Sequence, residues 1–242
     1  MIPKIQRVAP AFGLRWSSDG RSFYVAGMDE GGPDIFRVDG QTGDASSLFG
    51  SHHEPGWAAG VEELPQADSF ILLRHEYQKQ ADEELVFRNN GTGQERVLFH
   101  LARPAWINGF AVSVDGRQVA FTTANEPGDS STLRLVPVSG GDARVLLQSK
   151  SPELFENGSL AWTRDGSQIV FVETDGRLTH AKSELMEISA NGGEPRDLGL
   201  SLPRMRRIGI HPDGHRIVFQ THSITGEVWV IRNLFAKAAN SR

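Results

Sequence analysis

An Asp-Gly pair occurs four times in this chain, each time just ahead of a short apolar run. The pairs are Asp19-Gly20, Asp115-Gly116, Asp165-Gly166 and Asp213-Gly214. The last two intervals are about 50 residues and the first is about twice as long, and self-similarity at such a period indicates a repeat architecture. The repeat therefore constrains the fold more than any other feature of the sequence.

The residues around each pair indicate a β-hairpin. Asp-Gly stands between apolar runs rich in β-branched and aromatic residues, such as Ile169-Val170-Phe171, and glycine accepts the positive φ that tight hairpin turns require. A second turn follows later in each unit. These second turns are Asp39-Gly40, Asn90-Gly91, Ser139-Gly140-Gly141 and Asn191-Gly192-Gly193. Each unit is thus predicted to contain four antiparallel strands.

The long first interval contains a worn copy of the repeat. Ser69–Leu73 aligns with Ser22–Ala26, and Gln66-Ala67 stands where the turn pair is expected. Repeats of four short strands and about 48 residues are typical of propeller blades. We therefore predict an all-β fold, a β-propeller of about five four-stranded antiparallel blades, as a single domain over residues 1–242. The predicted blades cover roughly residues 6–50, 51–100, 101–149, 150–199 and 200–235, with a tail at 236–242.

The repeat resembles that of a known family. Its Ser/Thr-x-Asp-Gly core, the following strand that ends in Phe, and the later Gly-Gly or Asn-Gly turn are similar to the WD40-like (PD40) repeat of TolB-type β-propellers. The chain departs from that pattern in having Pro before Asp in one copy only, at Pro212-Asp213. Its ending, Glu227–Phe235, is similar to the tails of propellers fused to bacterial serine/threonine kinases or winged-helix regulators. In such proteins the propeller is a sensor or interaction module, so the resemblance implies a role in a bacterial signalling or envelope system.

Closure of the ring has two interpretations. The fifth copy offers strands near Arg207–Ile210, Arg216–Gln220 and Glu227–Ile231, but no turn for an outer strand follows. Ile2–Ile5 occupies the repeat register of an outer strand and would complete a closed five-bladed ring, since an open edge exposes unpaired backbone groups. Alternatively, these residues belong to a lost blade of a six- or seven-bladed parent.

Composition limits the partners and the compartment. The net charge of −5 argues against a generic nucleic-acid surface. No apolar run reaches the length of a membrane span, and the first residues do not form a signal peptide, so we expect a soluble chain without a membrane span or nucleic-acid partner. The absence of cysteine excludes disulfides, but it does not decide the redox compartment. The protein is expected to be periplasmic if it is a trimmed TolB-type protein and cytoplasmic otherwise.

Binding residues in propellers are expected on loops, because the strands are used for packing. With the Asp-Gly and Gly-Gly turns on one face, the opposite face carries the blade-to-blade connections, whose charged and aromatic side chains suit recognition. The candidate binding residues are Trp57, His75, Glu76, Tyr77, Arg103, Trp106, Asn108, Arg204, Arg206 and Arg207. The arginines around position 206 are interpreted either as a clamp for phosphate or carboxylate or as partners of acidic residues in neighbouring loops. Ordinary solvated loops have the same composition.

Motifs for catalysis and metal binding are weak in this sequence. The chain has no Gly-x-Ser-x-Gly elbow and no phosphate-binding glycine loop. His52-His53-Glu54 sends adjacent side chains to opposite faces of a strand, and spacing places no third ligand near them. We therefore predict a non-catalytic binding module for a protein or small ligand, with no cofactor and no metal site. The alternative is a propeller hydrolase or lyase that acts on a glycan or peptide in the central channel, with Glu76, Glu126 and Glu173 converging there.

Overall fold

The computed structural model describes residues 7–8, 15–17, 19–29, 32–49, 57–66, 68–75, 82–125, 129–150, 153–175, 182–210 and 216–221. These residues form nineteen β-strands, β1–β19, in five antiparallel sheets, and no helix occurs among them. The sheets follow one another along the chain as the blades of a β-propeller. The predicted all-β propeller is therefore confirmed.

The innermost position of blade one is described by two short strands. Its strands are β1 (Arg7–Val8), β2 (Arg15–Trp16), β3 (Ser22–Asp29), β4 (Gly32–Asp39) and β5 (Ala45–Ser47). Both β1 and β2 pair with β3, through Val8 opposite Gly27 and Arg15 opposite Tyr24. Together they occupy the position that one continuous strand fills in the other blades.

Blades two to four each contain four strands that pair in sequence order. Blade two comprises β6 (Trp57–Glu63), β7 (Ser69–His75), β8 (Glu83–Asn89) and β9 (Gln94–Leu101). Blade three comprises β10 (Trp106–Val112), β11 (Gln118–Ala124), β12 (Ser130–Pro137) and β13 (Arg144–Lys150). Blade four comprises β14 (Glu153–Trp162), β15 (Gln168–Asp175), β16 (Lys182–Ser189) and β17 (Arg196–Pro203).

Blade five is described by two strands, β18 (Arg206–Ile210) and β19 (Ile217–Gln220). The other segments invoked for ring closure, Ile2–Ile5 and Glu227–Ile231, lie outside the described residues, as does the Asp213-Gly214 turn. Val218 and Phe219 on β19 are 65% and 36% exposed, whereas their counterparts Val170 and Phe171 on β15 are buried. The second strand of blade five thus presents apolar side chains that the corresponding strand of blade four keeps in the core.

The Ser/Thr-x-Asp-Gly sequence forms the predicted hairpin turns. In the turn at residues 163–167, the Thr163 hydroxyl donates to Asp165 Oδ1 at 2.6 Å, and the same oxygen accepts the Ser167 amide at 3.0 Å. Gly166 adopts φ 69°, a conformation that glycine takes without steric cost. The turns at residues 17–21 and 113–117 repeat these bonds. The motif therefore forms the turn that connects the first two strands of a blade.

The worn copy in blade two forms its hairpin by another route. The amide of Leu64 donates to the carbonyl of Ser69 at 2.8 Å, the counterpart of the bond from Thr163 to Gln168 in blade four. Asp68 takes φ 55°, and Asp is one of the few residue types that enter the left-handed region without a large penalty. The prediction of a hidden second blade is confirmed, with Asp68 in the left-handed position of the turn.

The core lies between consecutive blades. One buried cluster joins Ile71 of blade two to Phe121 of blade three, and another joins Ala120 of blade three to Phe171 of blade four. Within the second cluster, the rings of Phe155 and Phe171 meet edge to face at 5.3 Å. Because both faces of each middle blade are buried, the hydrophobic effect stabilises the stacking of blades as well as each sheet.

A recurrent glycine marks the innermost strands. Gly60, Gly109, Gly158 and Gly209 each lie in or at the end of a register shift between the first two strands of their blade, which is the mark of a β-bulge. A Cβ atom added to Gly109 would lie 2.9 Å from the Cα of Gly158. The inner strands of blades three and four therefore approach backbone to backbone, a contact that only glycine allows.

Candidate binding site on the loop face

The face at which the innermost strands begin, called the loop face here, collects equivalent positions from several blades. Strand register places Trp57 opposite His75, Trp106 opposite Ala124, Phe155 opposite Glu173, and Arg206 opposite Gln220. The Asp-Gly turns lie at the other end of the same strand pairs, on what we call the turn face. The structure thus brings Trp57, His75, Trp106 and Arg206 to one face. The side chain of Trp57, and all of Glu76, Tyr77, His52, His53 and Glu54, lie outside the described part of the chain.

His75 contributes to the junction between blades two and three. Its Nδ1 lies 3.0 Å from Glu83 Oε1, and both side chains are buried. Glu83 Oε2 accepts the amide of Ile107 on the next blade at 2.5 Å. Ser131 has the same role at the following junction, where its hydroxyl oxygen accepts the Phe155 amide at 3.1 Å. These bonds fasten the third strand of one blade to the inner strand of the next, so His75 contributes to the junction more than to the exposed face.

Trp106 is held in place by its own strand. Its indole Nε1 donates to Asn108 Oδ1 at 2.6 Å, and Asn108 is buried while Trp106 remains partly exposed. Arg103 is exposed, and its amide donates to Asp82 Oδ1 at 3.0 Å. Asn108 therefore orients the tryptophan, and Trp106 and Arg103 are the members of this group that face solvent.

Arg206 and Arg207, at the start of blade five, bond to neighbouring residues of the propeller. Arg206 Nε pairs with Glu156 Oε1 at 3.0 Å. The Arg207 amide donates to Ser159 Oγ at 2.8 Å, and its Nη1 donates to Gln220 Oε1 at 3.0 Å. Pairing with a neighbouring acidic residue, one of the two sequence-based interpretations, thus holds for Arg206.

Two of the arginines have an unusual backbone. Arg204 and Arg207 take φ values of 48° and 50°, in the left-handed region that residues other than Gly, Asn and Asp rarely enter. Such a conformation costs on the order of 1 to 3 kcal/mol, and residues that keep it concentrate at functional sites. Both strained residues flank Arg206 on the loop face.

A further arginine, Arg15, joins this group from blade one. Burial lowers the pKa of Arg207, and the nearby positive charges of Arg206 and Arg15 lower it further. The positive charges of Arg206 on β18 and of Arg15 on β2 thus both act on Arg207. We call Arg15, Arg206 and Arg207 the arginine cluster. Arg15 was not among the candidate residues named from the sequence, and strand register places it at the inner-strand position that Gly209 holds in blade five.

Glu62 provides the opposite charge beside the cluster. Burial raises its pKa to about 7, while the positive charge of Arg15 and the backbone N–H of Val112 act in the lowering direction. Its Oε2 is buried and has no hydrogen-bond partner among the described residues. In strand register, Arg15 and Glu62 correspond to Ala111, Ala161 and Gly209 in the later blades. Small side chains therefore stand in three blades where the first two carry a charged pair.

Metal ligands do not gather in the part of the chain that the structure describes. No group of three or more His, Cys, Asp or Glu side chains that would hold a metal ion occurs there. The same residues contain no helix long and apolar enough to cross a membrane. Glu173, one of the three carboxylates of the enzyme alternative, accepts the Ser149 hydroxyl at 2.7 Å, while Glu126 is not described.

The fold is that of a β-propeller whose innermost strands begin on the loop face. The putative TolB from Agrobacterium tumefaciens shares this fold with a TM-score of 0.63 and 16% identity, over 89% of this chain and 78% of that one. TolB from Acinetobacter baumannii is similar with a TM-score of 0.61 and 14% identity, over 84% of this chain and 47% of that one. An oligogalacturonate lyase in complex with manganese is similar with a TM-score of 0.59 and 19% identity, over 86% of this chain and 57% of that one.

The resemblance to TolB-type propellers is confirmed at the level of the fold, which is what similarity at these identities establishes. The chain spans about half the length of the Acinetobacter TolB and of the lyase, at 47% and 57%. No known family profile matches the sequence, and no curated protein does.

Proposed function

We propose that this chain is a non-catalytic binding module that recognises a protein partner or ligand through its loop face. The observation that carries the proposal is the start of β18, where Arg204 and Arg207 keep left-handed backbone conformations on either side of Arg206, and where burial and the neighbouring positive charge of Arg206 lower the pKa of Arg207. Like charges held together in a partly buried place cost free energy, and perturbed charges of this kind concentrate at functional sites. A partner that brings negative charge would recover that cost.

The surroundings of the cluster support recognition of a larger partner. Trp106 is partly exposed, oriented by Asn108, and lies on the same face as Arg206. Tryptophan and arginine are enriched among the residues that dominate binding energy at protein interfaces. A rigid scaffold that presents both types needs little reordering on binding, which limits the entropic cost of association.

Within a cell, we propose the role of a sensing or interaction module in a bacterial signalling or envelope system. The similarity of Glu227–Phe235 to the tails of kinase- or regulator-fused propellers suggests signalling, and the TolB fold suggests the envelope. An envelope role would place the protein in the periplasm, and a signalling role of the kinase- or regulator-fused kind would place it in the cytoplasm. Fractionation of cells that produce the full-length protein distinguishes the two.

The test is affinity capture from a lysate of the source organism with the intact chain and with an Arg206→Ala/Arg207→Ala variant. Loss of these two arginines is expected to weaken capture of the specific partner at least tenfold, because truncation of a hot-spot arginine typically costs about 2 kcal/mol or more. The matched control is Arg21→Ala/Arg117→Ala. It removes two exposed arginines from the turn face, and capture should stay unchanged.

Equal capture by the two double variants would contradict the proposal, provided that circular dichroism shows both to be folded.

The second candidate function is a propeller hydrolase or lyase, which the similarity in fold to an oligogalacturonate lyase supports. Turnover of a glycan or peptide by the purified chain, abolished by Glu173→Gln, would favour that alternative over a binding module.

A further inference from the structure

We propose that Asp82 and Glu83 form a pH-sensitive clamp on the connection between blades two and three, with His100 and His75 as the groups that sense pH. Each carboxylate bridges one histidine and one backbone amide of residues 103–107. We call the two bridges the carboxylate clamp. The inference rests on the proposed binding function, because residues 103–107 carry two of its candidate residues, and it adds regulation by pH.

The buried bridge runs from His75 through Glu83 to Ile107. His75 Nδ1 lies 3.0 Å from Glu83 Oε1, and Glu83 Oε2 accepts the Ile107 amide at 2.5 Å. His75 and Glu83 belong to blade two and Ile107 to blade three. On the other side of His75, β6 places the uncharged Trp57 in register with it. One carboxylate therefore joins an ionisable side chain of one blade to the backbone of the next.

An exposed bridge repeats this arrangement at the preceding residue. Asp82 Oδ2 lies 3.1 Å from His100 Nε2, and Asp82 Oδ1 accepts the Arg103 amide at 3.0 Å. Both side chains of this ion pair are about half exposed, and such pairs contribute little because water and salt screen them. We therefore expect the buried bridge to decide the response to pH.

The charged groups around His100 come from the neighbouring strands. Glu84 of β8 is in register with His100, and Arg74 of β7 pairs with Glu84 at 3.1 Å. From β12, the guanidinium of Arg134 lies over the ring of Phe99, next to His100 in the chain. Arg74 thus offsets the negative charge that Glu84 would bring to His100.

Protonation of His75 changes how firmly Glu83 is held. Histidine ordinarily changes its charge between about pH 5 and pH 8. Protonated His75 forms an ion pair with Glu83 and keeps the carboxylate where it accepts the Ile107 amide. Neutral His75 brings no positive charge to this buried carboxylate, which is then favoured to turn toward solvent because burial of an uncompensated charge is costly. The carboxylate clamp is therefore firm near pH 6 and loosens toward pH 8.

The clamped segment carries an aromatic residue of the loop face. Trp106 lies between the amides of Arg103 and Ile107 that the two carboxylates hold, and it remains partly exposed. A firm clamp fixes this segment before a partner binds, which reduces the entropic cost of association. Partner binding is therefore expected to be tighter near pH 6 than near pH 8.

The first experiment follows the Ile107 amide of the intact chain by NMR. Its protection against hydrogen exchange, corrected for the intrinsic rate at each pH, should be about fivefold higher at pH 6 than at pH 8, because a charge-assisted hydrogen bond is roughly twice as strong as a neutral one. His75→Gln and Glu83→Gln should both remove this dependence. Glu84→Gln is the matched control, since it removes a carboxylate that neither bridge uses, and it should respond like the parent.

Two results of this experiment would overturn the proposal. One is an Ile107 amide in the parent whose corrected protection is the same at pH 6 and pH 8. The other is a full pH response in folded His75→Gln. If His75→Gln does not fold, Glu83→Gln makes the same test, because its amide oxygen still accepts a hydrogen bond while its charge is gone.

A second experiment separates this regulation from the proposed function. Partner capture by the parent and by His75→Gln is compared at pH 6 and pH 8, and a fall toward pH 8 in the parent alone supports the carboxylate clamp as a regulator. Equal capture by the parent at both pH values would overturn the regulatory role and leave the binding module in place. A pH response of Ile107 in a chain that captures no partner would remove the proposed function and leave the carboxylate clamp.

Discussion

At the residue scale, the aspartates of the Asp-Gly turns are held in their ionised form by the donors around them. The hydroxyl of Thr163 is the main cause that lowers the pKa of Asp165 to about 2, and the Ser167 amide and hydroxyl add to it. The pKa values of Asp19 and Asp115 are lowered in the same way, first by Ser17 and Ser113. Each turn thus couples local geometry to charge.

This coupling predicts how stability responds to acid. A carboxylate with a lowered pKa stabilises the fold above its unfolded pKa, near 3.8, and that contribution is lost as pH falls toward about 2. Asp165→Asn is therefore expected to lower the free energy of unfolding at pH 7 and to reduce its fall between pH 4 and pH 2. Urea unfolding at several pH values measures both effects.

The control for this prediction is Asp142→Asn, at an exposed aspartate between β12 and β13. It should leave the acid dependence of the parent almost unchanged. Identical pH profiles for the two variants would contradict the role assigned to the Asp-Gly turns.

At the scale of single elements, the inner strands depend on the recurrent glycine. Gly109→Ala would push a Cβ to within 2.9 Å of the Gly158 backbone, which has no flexible side-chain end to move away. We expect a loss of about 1 to 3 kcal/mol in the free energy of unfolding, the usual cost of overpacking. Chemical denaturation of the purified variant measures it.

Gly209→Ala is the control at another inner-strand glycine, in blade five. Its added Cβ would meet Val218 Cγ2 at 3.9 Å, an ordinary contact. This variant should cost clearly less than Gly109→Ala, and equal losses would show that the close approach of β10 and β14 is not what requires glycine.

Many of the strands and hairpin turns could be predicted from the sequence, because hairpin turns depend on local chemistry. Asp165-Gly166 and its copies specify a turn whatever surrounds them, and even Asp68 follows a known local preference. The contacts of the candidate site were harder to predict, because they join residues of different blades. The charge of Arg15 acts on Arg207 only in the folded chain, because the two residues belong to different blades, and Glu83 reaches Ile107 only across a blade junction. Residue spacing carries no information about such contacts.

At the scale of the whole molecule, blade five differs from its neighbours in how much apolar surface it shows. Val218 is 65% exposed and its counterpart Val170 is 2% exposed. Val170→Ala is therefore expected to cost about 2 kcal/mol in the free energy of unfolding, and Val218→Ala to stay within about 0.5 kcal/mol of the parent. Urea unfolding of the two variants gives the comparison.

A large loss in Val218→Ala would mean that another segment of the molecule covers β19 in solution. Removal of residues 1–6 then separates the two interpretations of the ring. Severe destabilisation supports a closed ring of five blades completed by the first residues, and indifference supports a fragment of a larger propeller. We propose the whole chain as one propeller domain in either case.

The central claim is that recognition takes place on the loop face and not on the turn face. Hydrogen–deuterium exchange of the chain, alone and with its captured partner, tests it most directly. Added protection is expected in peptides around residues 103–108, 153–158 and 204–209, with none around the turns at residues 113–117 and 163–167. Protection confined to the turn peptides would contradict the account.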